Sequence, residues 1–342
     1  MTSQKILIWL PSPLGDAIMA TPALREFRRL FPNASITFLG HAFTRQVLSP
    51  SPFCDDWMDL EKKSLNTLRQ IKANHFDVAI TLKSSFGSAL ALWLAGIGRR
   101  IGYAREGRSL LLTDRINPLR NNQGAFQPAP MIEYYLKIAT HLGGSLDNKK
   151  TELSVRTEDK ETVLKTLPQL QSLAGPLVIL VPGGAFGPSK LWPIERYAQL
   201  ADKLYDAYHA TVILSVSPIK QEVKIAESIC QQAVSELINL GHTSLNGGQL
   251  KALYSFADLV ITNDTGPRHI AIAQDKPVVS LFGPNNPLWT QTEHDKEIQI
   301  LGIAPCVPCD KPVCKQRQHL CMESITVEHV FEQAQKIVGT QR

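Results

Sequence analysis

The stretch Leu259-Val-Ile-Thr-Asn-Asp-Thr-Gly-Pro-Arg-His269 decides how this chain folds. Its apolar start, 259–261, predicts a buried strand, and the polar turn after it leads into a helix. Pro267 suits the first turn of that helix, where a missing backbone amide costs little. A second apolar run, 278–282, ends in Gly-Pro and predicts another strand. Strand, helix and strand in this order form a βαβ unit, so the sequence predicts a parallel sheet.

The polar turn of this unit is suited to binding an anion. The first amides of a helix have no partner inside the helix, and they attract negative groups such as phosphates. Thr265 and Gly266 would present those amides, and Gly266, having no side chain, would let a phosphate come close. Alternatively, Asp264 or Thr265 only caps the helix. The turn by itself does not decide between these two interpretations.

Short apolar runs and amphipathic segments alternate along the whole chain. This alternation predicts the α/β class, with parallel sheets that are covered by helices on both faces. The predicted strands are 5–10, 35–39, 77–82, 177–181, 211–216, 258–262 and 278–282. The predicted helices are 16–30, 64–74, 84–95, 131–142, 158–167, 194–208, 219–231, 248–256, 266–274 and 326–338.

The alternation begins twice, at 5–10 and again at 177–181, and the proline-bounded segment 168–176 between them is typical of a linker. We therefore expect two doubly wound domains, 1–168 and 177–342, that face a central cleft. Ligands of such sheets bind beyond the carboxyl ends of the strands. The functional residues should accordingly follow the strands in sequence.

Positive charge is concentrated in the first half of the chain. Residues 1–150 contain 19 Lys and Arg against 11 Asp and Glu, whereas the remainder contains 17 against 20. A cluster of this kind favours an anionic partner, such as a nucleic acid, a phosphorylated sugar or a membrane surface. A solvated charged face is the alternative interpretation. The glycine-containing stretch 96–120 is especially basic and includes Arg99, Arg100, Arg105, Arg108, Arg115 and Arg120.

Two other strand ends carry candidate functional residues. Asp16 follows the first strand at the start of a helix, where it would either act as a general base on a substrate hydroxyl or only stabilise the helix. Lys190 follows the strand 177–181 and a loop that contains Gly183 and Gly184. It would either bind a phosphate or remain a surface lysine. The loop matches neither the GxxxxGK[ST] phosphate loop nor the GxGxxG dinucleotide motif.

Six cysteines are present, and four of them come late in the chain, at Cys306, Cys309, Cys314 and Cys321. The apolar runs are too short for a secretion signal or a membrane span, so we expect a cytoplasmic protein with mostly reduced thiols. A Cys-x-x-Cys pair followed by two more cysteines is similar to a zinc site, although the last two do not form a second such pair. Zinc binding, disulfides and packed thiols all stay open.

Together these segments resemble the glycosyltransferase family that includes the ADP-heptose:lipopolysaccharide heptosyltransferases. The late segment from Pro305 to Cys321 is most similar to heptosyltransferase II enzymes. The chain departs from the family pattern at Pro267-Arg268 and at Asn285-Asn286. The residues that carry the resemblance are, in chain order, Pro11, Gly15, Asp16, Pro22, Ala23 and Leu24; Arg100-Ile-Gly-Tyr103 and Leu111-Leu-Thr-Asp-Arg115; Pro182-Gly-Gly184, Lys190, Trp192 and Pro193; Asn263-Asp-Thr-Gly266 and His269; and Phe282-Gly-Pro284.

The resemblance implies a GT-B architecture of two Rossmann-like domains and an inverting, metal-independent transfer of a heptose from ADP-heptose to the inner core of lipopolysaccharide. Asp16 would be the catalytic base. The first domain would bind the acceptor, with the candidate residues Arg99, Arg100, Arg105 and Arg108. The second domain would bind the donor, with the candidate residues Gly183, Gly184, Lys190, Glu222, Asp264, Thr265, Gly266 and His269.

The resemblance implies no cofactor, no catalytic metal and no nucleic acid. Peripheral contact with the inner face of the cytoplasmic membrane would fit the basic first half. One alternative is an enzyme of the same architecture with another sugar nucleotide, such as a UDP-sugar transferase or a sugar-nucleotide epimerase. The other alternative is a non-catalytic protein that binds nucleic acid and zinc. Against the latter, the arginines lack interleaved aromatic residues, and the cysteine spacing matches no standard zinc finger.

Overall fold

Two compact units make up the chain in the computed structural model, which describes residues 3–61, 64–122, 124, 127–184 and 186–339. Unit 1 consists of Met1–Ser154 together with Leu288–Glu293. Unit 2 consists of Val155–Pro287 together with His294–Arg342. Each unit contains its own six-stranded parallel sheet with helices between the strands, which confirms the predicted α/β class.

The sheet of unit 1 has the strand order β3-β2-β1-β4-β5-β6. Its strands are β1 (Lys5–Trp9), β2 (Ser35–Gly40), β3 (Asp56–Asp59), β4 (Val78–Thr81), β5 (Arg99–Tyr103) and β6 (Asp114–Ile116). Its helices are α1 (Leu14–Met19), α2 (Thr21–Leu30), α3 (Ala42–Leu48), α4 (Ser64–Asn74), α5 (Phe86–Leu94) and α6 (Met131–His141).

The sheet of unit 2 repeats this topology with the order β12-β11-β10-β7-β8-β9. Its strands are β7 (Leu177–Val181), β8 (Thr211–Leu214), β9 (Leu237–Asn239), β10 (Leu259–Asn263), β11 (Val278–Phe282) and β12 (Glu297–Leu301). Its helices are α7 (Thr157–Thr166), α8 (Ile194–Tyr208), α9 (Lys220–Gln232), α10 (Gly247–Phe256), α11 (Gly266–Ala273), α12 (Leu320–Glu323) and α13 (Val327–Val338).

The strand order of each sheet changes direction beside its first strand. In unit 1, β1 lies between β2 and β4, and in unit 2, β7 lies between β8 and β10. Ligands of doubly wound sheets bind beyond the carboxyl ends of the strands at this point. The loops after β1 and β4 in unit 1, and after β7 and β10 in unit 2, therefore hold the positions where ligands are expected.

The central strands are apolar because helices cover both faces of each sheet. Every residue of β7, β10 and β11 is buried. A buried aromatic contact in this core joins Trp192 and Tyr197, whose rings meet edge to face at a centroid distance of 4.9 Å. The Trp192 indole nitrogen donates a hydrogen bond to the carbonyl of Ile325, 2.9 Å away, and so ties α8 to the start of α13.

Five strands were not predicted from the sequence, namely β3, β5, β6, β9 and β12. Four of them, β3, β6, β9 and β12, are the edge strands of the two sheets. Edge strands are partly exposed and tolerate polar residues, so they lack the continuous apolar run that marks a central strand. For this reason the sequence pattern underestimates the width of both sheets.

Two further differences concern helices and the unit boundary. The predicted helix 16–30 is divided into α1 and α2, since Ala20 separates them and Pro22 lies in the first turn of α2. The change of unit falls between Ser154 and Val155, ahead of the expected linker at 168–176. Helix α7 packs on α10, and residues 155–168 therefore belong with unit 2.

Across the described ranges, the helices fall short of the length and apolar character that crossing a membrane requires.

Candidate active site

The turn between β10 and α11 presents a helix N-terminus at the switch point of unit 2. Thr265 occupies the N-cap position of α11, but its side chain makes no capping hydrogen bond. Its hydroxyl lies 3.3 Å from the hydroxyl of Thr262 instead. Pro267 lies in the first turn, as predicted. Simple capping by Thr265 therefore does not explain this turn, and its geometry fits the anion-binding interpretation.

Lys190 is buried and directed at this turn. Its Nζ donates hydrogen bonds to the Asp264 carbonyl at 2.7 Å and to Asp264 Oδ2 at 3.0 Å. The same ammonium lies 4.6 Å from the ring centre of Phe186. The interpretation of Lys190 as a surface lysine is therefore wrong. The ammonium therefore lies beside the first turn of α11, where the helix dipole places partial positive charge.

Asp264 carries the negative charge that balances this cation. Burial by itself would raise the pKa of its carboxyl, but Lys190 and Arg268 outweigh that effect and keep the pKa below its ordinary value. The Arg268 guanidinium lies 3.4 Å from Asp264 Oδ1, and Asn285 Nδ2 lies 3.4 Å from Asp264 Oδ2. Arg268 and Asn285 therefore both contact the same carboxylate.

Arg268 also forms a buried ion pair that sequence reasoning missed. It is fully buried, and its Nε and Nη2 donate to the two carboxylate oxygens of Glu297 at 2.6 and 2.9 Å. Glu297 accepts a third hydrogen bond from the Ser280 hydroxyl. Glu297 begins β12, one of the edge strands that the sequence pattern did not predict. The sequence around Glu297 does not indicate this ion pair, because β12 lacks the apolar run of a central strand.

His269, one turn into α11, is buried and neutral. Burial, together with the positive charge of Arg268, lowers the pKa of its imidazole to about 3. Among the described residues, no group accepts from or donates to His269 Nδ1. The residue is therefore a neutral polar group at neutral pH, and it contributes a hydrogen-bonding nitrogen rather than a charge.

The glycines after β7 permit a close approach of three loops. A side chain at Gly183 would place its first carbon 2.5 Å from the Glu222 carboxyl carbon, and one at Gly184 would lie 2.8 Å from Thr265 Cγ2. Glu222 accepts hydrogen bonds from the amides of Gly184 at 3.2 Å and Ser217 at 2.7 Å. Any larger residue at either position would clash with these side chains, so both positions require glycine. Glu222 ties the loops after β7 and β8 together and is not simply a solvated residue.

The late cysteine segment supports these loops. The carbonyl of Pro312 accepts from the amide of Ser189, and the Ser189 hydroxyl donates to the carbonyl of Lys311. On the other side, the amides of Cys309 and Asp310 donate to the carbonyl of Pro284 at 2.9 Å. Residues 309–312 therefore connect the loop before Lys190 to the loop after β11.

The cysteines of this segment are free in the structure, and Cys321 is the buried one. Within the described ranges, no three His, Cys, Asp or Glu side chains are grouped closely enough to hold a metal ion. The structure thus places these thiols around a connecting loop, whose backbone makes the contacts to the neighbouring loops.

In unit 1, Asp16 lies at the corresponding switch point. It belongs to the first turn of α1, just beyond the carboxyl end of β1, and is partly exposed. The Tyr135 hydroxyl donates a hydrogen bond to Asp16 Oδ1 at 3.2 Å. Burial and the nearby Asp16 carboxylate raise the pKa of Tyr135 well above its ordinary value, so this hydroxyl keeps its proton. A carboxylate that is oriented by a hydrogen bond and still accessible is suited to receive a proton.

The four candidate acceptor arginines do not form one patch. Arg99 and Arg100 begin β5 and therefore lie at the amino end of a parallel strand, opposite the edge that holds Asp16. Arg99 pairs with Asp114 at 2.8 Å, and Arg100 Nε donates to the carbonyl of Leu111 at 2.7 Å. For these two residues, the expectation of a place beside the acceptor is not supported by the fold.

Arg108 and Arg105 have different surroundings. Arg108 is fully buried and donates to the backbone carbonyls of Lys83 and Tyr103, so it holds the loop after β4 in place. Direct contact with an acceptor is therefore not expected from Arg108. Arg105 follows the carboxyl end of β5 and lines a pocket of about 140 Å³ in unit 1, together with Tyr134 and Lys137. Of the four arginines, Arg105 is the one whose position suits acceptor binding.

The profile of glycosyltransferase family 9 (heptosyltransferase) matches residues 65–319. Lipopolysaccharide heptosyltransferase 2 of Escherichia coli K12 is 28% identical to this chain, and the alignment covers 96% of this chain and 97% of the relative. Lipooligosaccharide heptosyltransferase 2 of Haemophilus influenzae is also 28% identical, with 85% and 86% covered. The solved structure of E. coli ADP-heptose lipopolysaccharide heptosyltransferase II is 26% identical, has a TM-score of 0.81 and is matched over 99% of both chains.

These similarities extend over both units and agree with the predicted GT-B class of two Rossmann-like domains. Since the family profile covers most of its length, the chain belongs to glycosyltransferase family 9, the heptosyltransferase family.

Proposed function

We propose that the protein is an inverting glycosyltransferase that moves a heptose from ADP-heptose to the inner core of lipopolysaccharide. The observation that carries the proposal is the buried Lys190, directed at the N-terminus of α11 in a family 9 chain. The relatives named above, which are heptosyltransferases 2, support the same donor and acceptor class. Unit 2 binds the donor and unit 1 binds the acceptor in this proposal.

The proposed chemistry begins at Asp16. Its carboxylate, oriented by Tyr135, takes the proton from the acceptor hydroxyl as that oxygen attacks the anomeric carbon of the heptose. The bond from the anomeric carbon to the diphosphate oxygen breaks on the opposite face, and the configuration inverts. ADP leaves with the electron pair of the broken bond and with additional negative charge.

The residues of unit 2 stabilise that departing charge. The amides of Thr265 and Gly266 and the ammonium of Lys190 are already in place before the charge develops, which is the most effective form of electrostatic catalysis. Lys190 has three donor hydrogens and gives two of them to Asp264. A diphosphate would compete for this ammonium, and Arg268 keeps the Asp264 carboxylate neutralised when that happens. The cationic lysine and the helix amides supply what a divalent metal would otherwise provide.

Glu222, Gly183 and Gly184 complete the proposed donor site. The carboxylate of Glu222 keeps lone pairs beyond the two that accept backbone amides, and these suit the ribose hydroxyls. The glycines allow the backbone after β7 to come close to the nucleotide, and His269 contributes a neutral nitrogen.

A second candidate is the same transfer from a different sugar nucleotide. The observation that favours it is local, because Arg268 and Asn285 both contact Asp264 and both depart from the family pattern. These residues would change the donor pocket without changing the diphosphate contacts. By contrast, the nucleic-acid alternative loses support, since Arg108 is buried and Arg99 is paired with Asp114.

We further propose that the protein works on the cytoplasmic side of the inner membrane and contacts its inner face peripherally. The basic balance of residues 1–150 and the lipid-bearing acceptor support this location.

The experiment that tests the proposed function is a donor screen. The protein is incubated with a lipopolysaccharide inner-core acceptor and with ADP-heptose, UDP-sugars or GDP-sugars separately, and the released nucleotide is identified. We expect ADP release and a heptosylated product from ADP-heptose alone, in the presence of EDTA and without added Mg²⁺. Release of another nucleotide would favour the second candidate, and a strict requirement for Mg²⁺ would contradict the metal-free chemistry.

A further inference from the structure

Helix α5 has an unusual surface for a helix of a globular protein. It contains no charged residue, and the helix as a whole is strongly apolar. Its inner face packs on the sheet through Ser88, Ala89 and Leu92, which are buried. Its outer face is apolar as well, since Phe86, Trp93 and Leu94 are 47%, 50% and 48% exposed. A surface helix ordinarily places polar residues on its outer face.

These exposed side chains share one side of the helix. Phe86 and Trp93 are seven residues apart and so lie nearly in line along the helix, and Leu90, partly buried, falls between them. Leu94 lies four positions after Leu90 and therefore adjoins it on the same side. The exposed apolar residues are thus a continuous stripe and not isolated positions.

A further exposed apolar residue lies on a turn that contacts α5. The turn Ser109–Leu111 packs against α5, and its central residue, Leu110, is 85% exposed. Arg108 fixes the turn to the start of the helix, because its guanidinium lies 3.3 Å from the Ser88 hydroxyl and 3.4 Å from the carbonyl of Ser85. Phe86, Trp93, Leu94 and Leu110 together are called the apolar docking face below.

Basic residues lie close to the turn of the docking face. Residues 83–120 contain seven Lys and Arg against Glu106 and Asp114, although Arg108 is buried and Arg99 pairs with Asp114. Arg100 lies between the end of α5 and the turn, where its guanidinium donates to the carbonyls of Ile97 and Leu111. Arg115 is exposed, and its Nε donates to the carbonyl of Leu112, directly after the turn. The face therefore combines large apolar side chains with a cationic border.

We propose that the apolar docking face binds the anionic surface of a lipid bilayer, with Trp93, Leu94 and Leu110 inserted among the headgroups. Trp, Phe and Leu are the side chains that enter this layer, and flanking arginines are attracted to anionic lipids. Two copies of the protein would repel each other across this face, because both would present the same excess of positive charge. The biological role of this membrane contact rests on the proposed function, since an acceptor anchored by lipid lies at a membrane surface.

The test uses the full-length double variant Trp93→Ser/Leu94→Ser and a matched control, Val234→Ser/Ile303→Ser. Val234 and Ile303 are 95% and 81% exposed, lie in unit 2 and are distant in sequence from the basic stretch. Binding is measured by cosedimentation with vesicles of phosphatidylglycerol and phosphatidylethanolamine, and with vesicles of phosphatidylcholine alone. ADP affinity and thermal unfolding verify that both variants are folded.

We expect the parent and the control to bind the anionic vesicles and to lose that binding as salt is raised. We expect the docking-face variant to bind them about tenfold or more weakly, because two large apolar side chains no longer enter the headgroup layer. Equal binding by the parent and the docking-face variant, or no binding by the parent, would overturn the inference. A parent that forms dimers without vesicles, which the variant does not form, would assign the face to a second copy instead.

Turnover separates this inference from the proposed function. With a water-soluble inner-core oligosaccharide as acceptor, the docking-face variant should retain its rate within about twofold, whereas with vesicle-embedded acceptor its rate should fall about as much as its vesicle binding. If the parent fails on every acceptor but still binds anionic vesicles, the proposed function fails and the docking face stands. Normal turnover of embedded acceptor by the variant would contradict the docking face alone.

Discussion

The two sheets have the same strand order, but the charged groups at their carboxyl ends are held in different ways. In unit 2, Lys190, Asp264 and Arg268 are buried and bonded to one another. In unit 1, Asp16 is partly exposed and is oriented by a hydroxyl from Tyr135. The same topology therefore supports a rigid, charged pocket in one unit and an accessible carboxylate in the other.

This difference corresponds to two chemical tasks. Charge that develops on a leaving group is stabilised best by donors and cations that are fixed in advance and shielded from water. A general base must instead meet an incoming hydroxyl, so it needs an accessible oxygen whose direction is fixed. The comparison predicts that substitutions in unit 2 alter stability and donor affinity, whereas substitutions in unit 1 alter turnover and acceptor affinity.

The largest expected effect is on stability. Arg268→Met leaves the buried Glu297 without its partner, and we expect the free energy of unfolding to fall by about 3–5 kcal/mol. Urea unfolding measures the change. The double variant Arg268→Met/Glu297→Gln removes both charges and should recover most of the loss. A single variant that loses less than about 1 kcal/mol would show that the Arg268–Glu297 pair does not hold unit 2 rigid.

The next effect is on donor binding. Lys190→Ala should weaken the binding of ADP by about 1.5–3 kcal/mol, which is the range for a hydrogen bond to a charged group. Titration calorimetry with ADP and with adenosine measures the difference. Adenosine lacks the diphosphate and should bind the variant as it binds the parent. An equal loss for both ligands would assign Lys190 to folding of the pocket instead.

His269 gives unit 2 a pH dependence of stability. Its folded pKa of about 3 lies below the unfolded value of about 6.5, so the unfolded chain binds the proton more readily. The stability from this group is complete above pH 6.5 and declines as the pH falls toward 3. Between pH 7.5 and 5 the decline should be about 2 kcal/mol.

The control for this prediction is His269→Gln, with urea unfolding of both proteins at pH 7.5 and pH 5. The difference between the two pH values should be smaller in the variant by about 2 kcal/mol, whatever its absolute stability. Equal pH dependence in the two proteins would mean that the imidazole accepts a proton while buried.

The smallest effect concerns the acceptor. Arg105→Gln should raise the Michaelis constant for the acceptor roughly fivefold, or by about 1 kcal/mol, because Arg105 lines the pocket of unit 1 and is partly exposed. The donor constant should not change. Arg99→Gln is the matched control, since Arg99 lies at the other end of β5 and pairs with Asp114. Similar changes in both variants would indicate a general effect of net charge.

Much of the fold could be predicted from the sequence because its central strands and its helices follow clear patterns. The predicted helices 64–74 and 194–208 coincide with α4 and α8, and the predicted strands 177–181 and 278–282 coincide with β7 and β11. Apolar runs bounded by Gly and Pro are reliable where both faces of a strand are buried. The edge strands carry no such run, and they were not predicted.

The candidate site was predictable where function follows the end of a central strand, as at Asp16, Lys190 and Asp264. It was not predictable where two residues distant in sequence meet, as Arg268 of α11 and Glu297 of β12 do. The arginines show a third case. Arg99 and Arg105 are six residues apart, but the five-residue strand β5 separates its ends by about 13 Å, so the two lie at opposite edges of the sheet.

The central claim is that unit 1 supplies the base and unit 2 holds the donor. The most direct test is the turnover of Asp16→Asn at saturating ADP-heptose and acceptor, measured together with its donor Michaelis constant. Loss of the base should lower kcat by roughly 100-fold or more, while the donor constant stays within about twofold of the parent. Near-normal turnover by the folded variant would contradict the account.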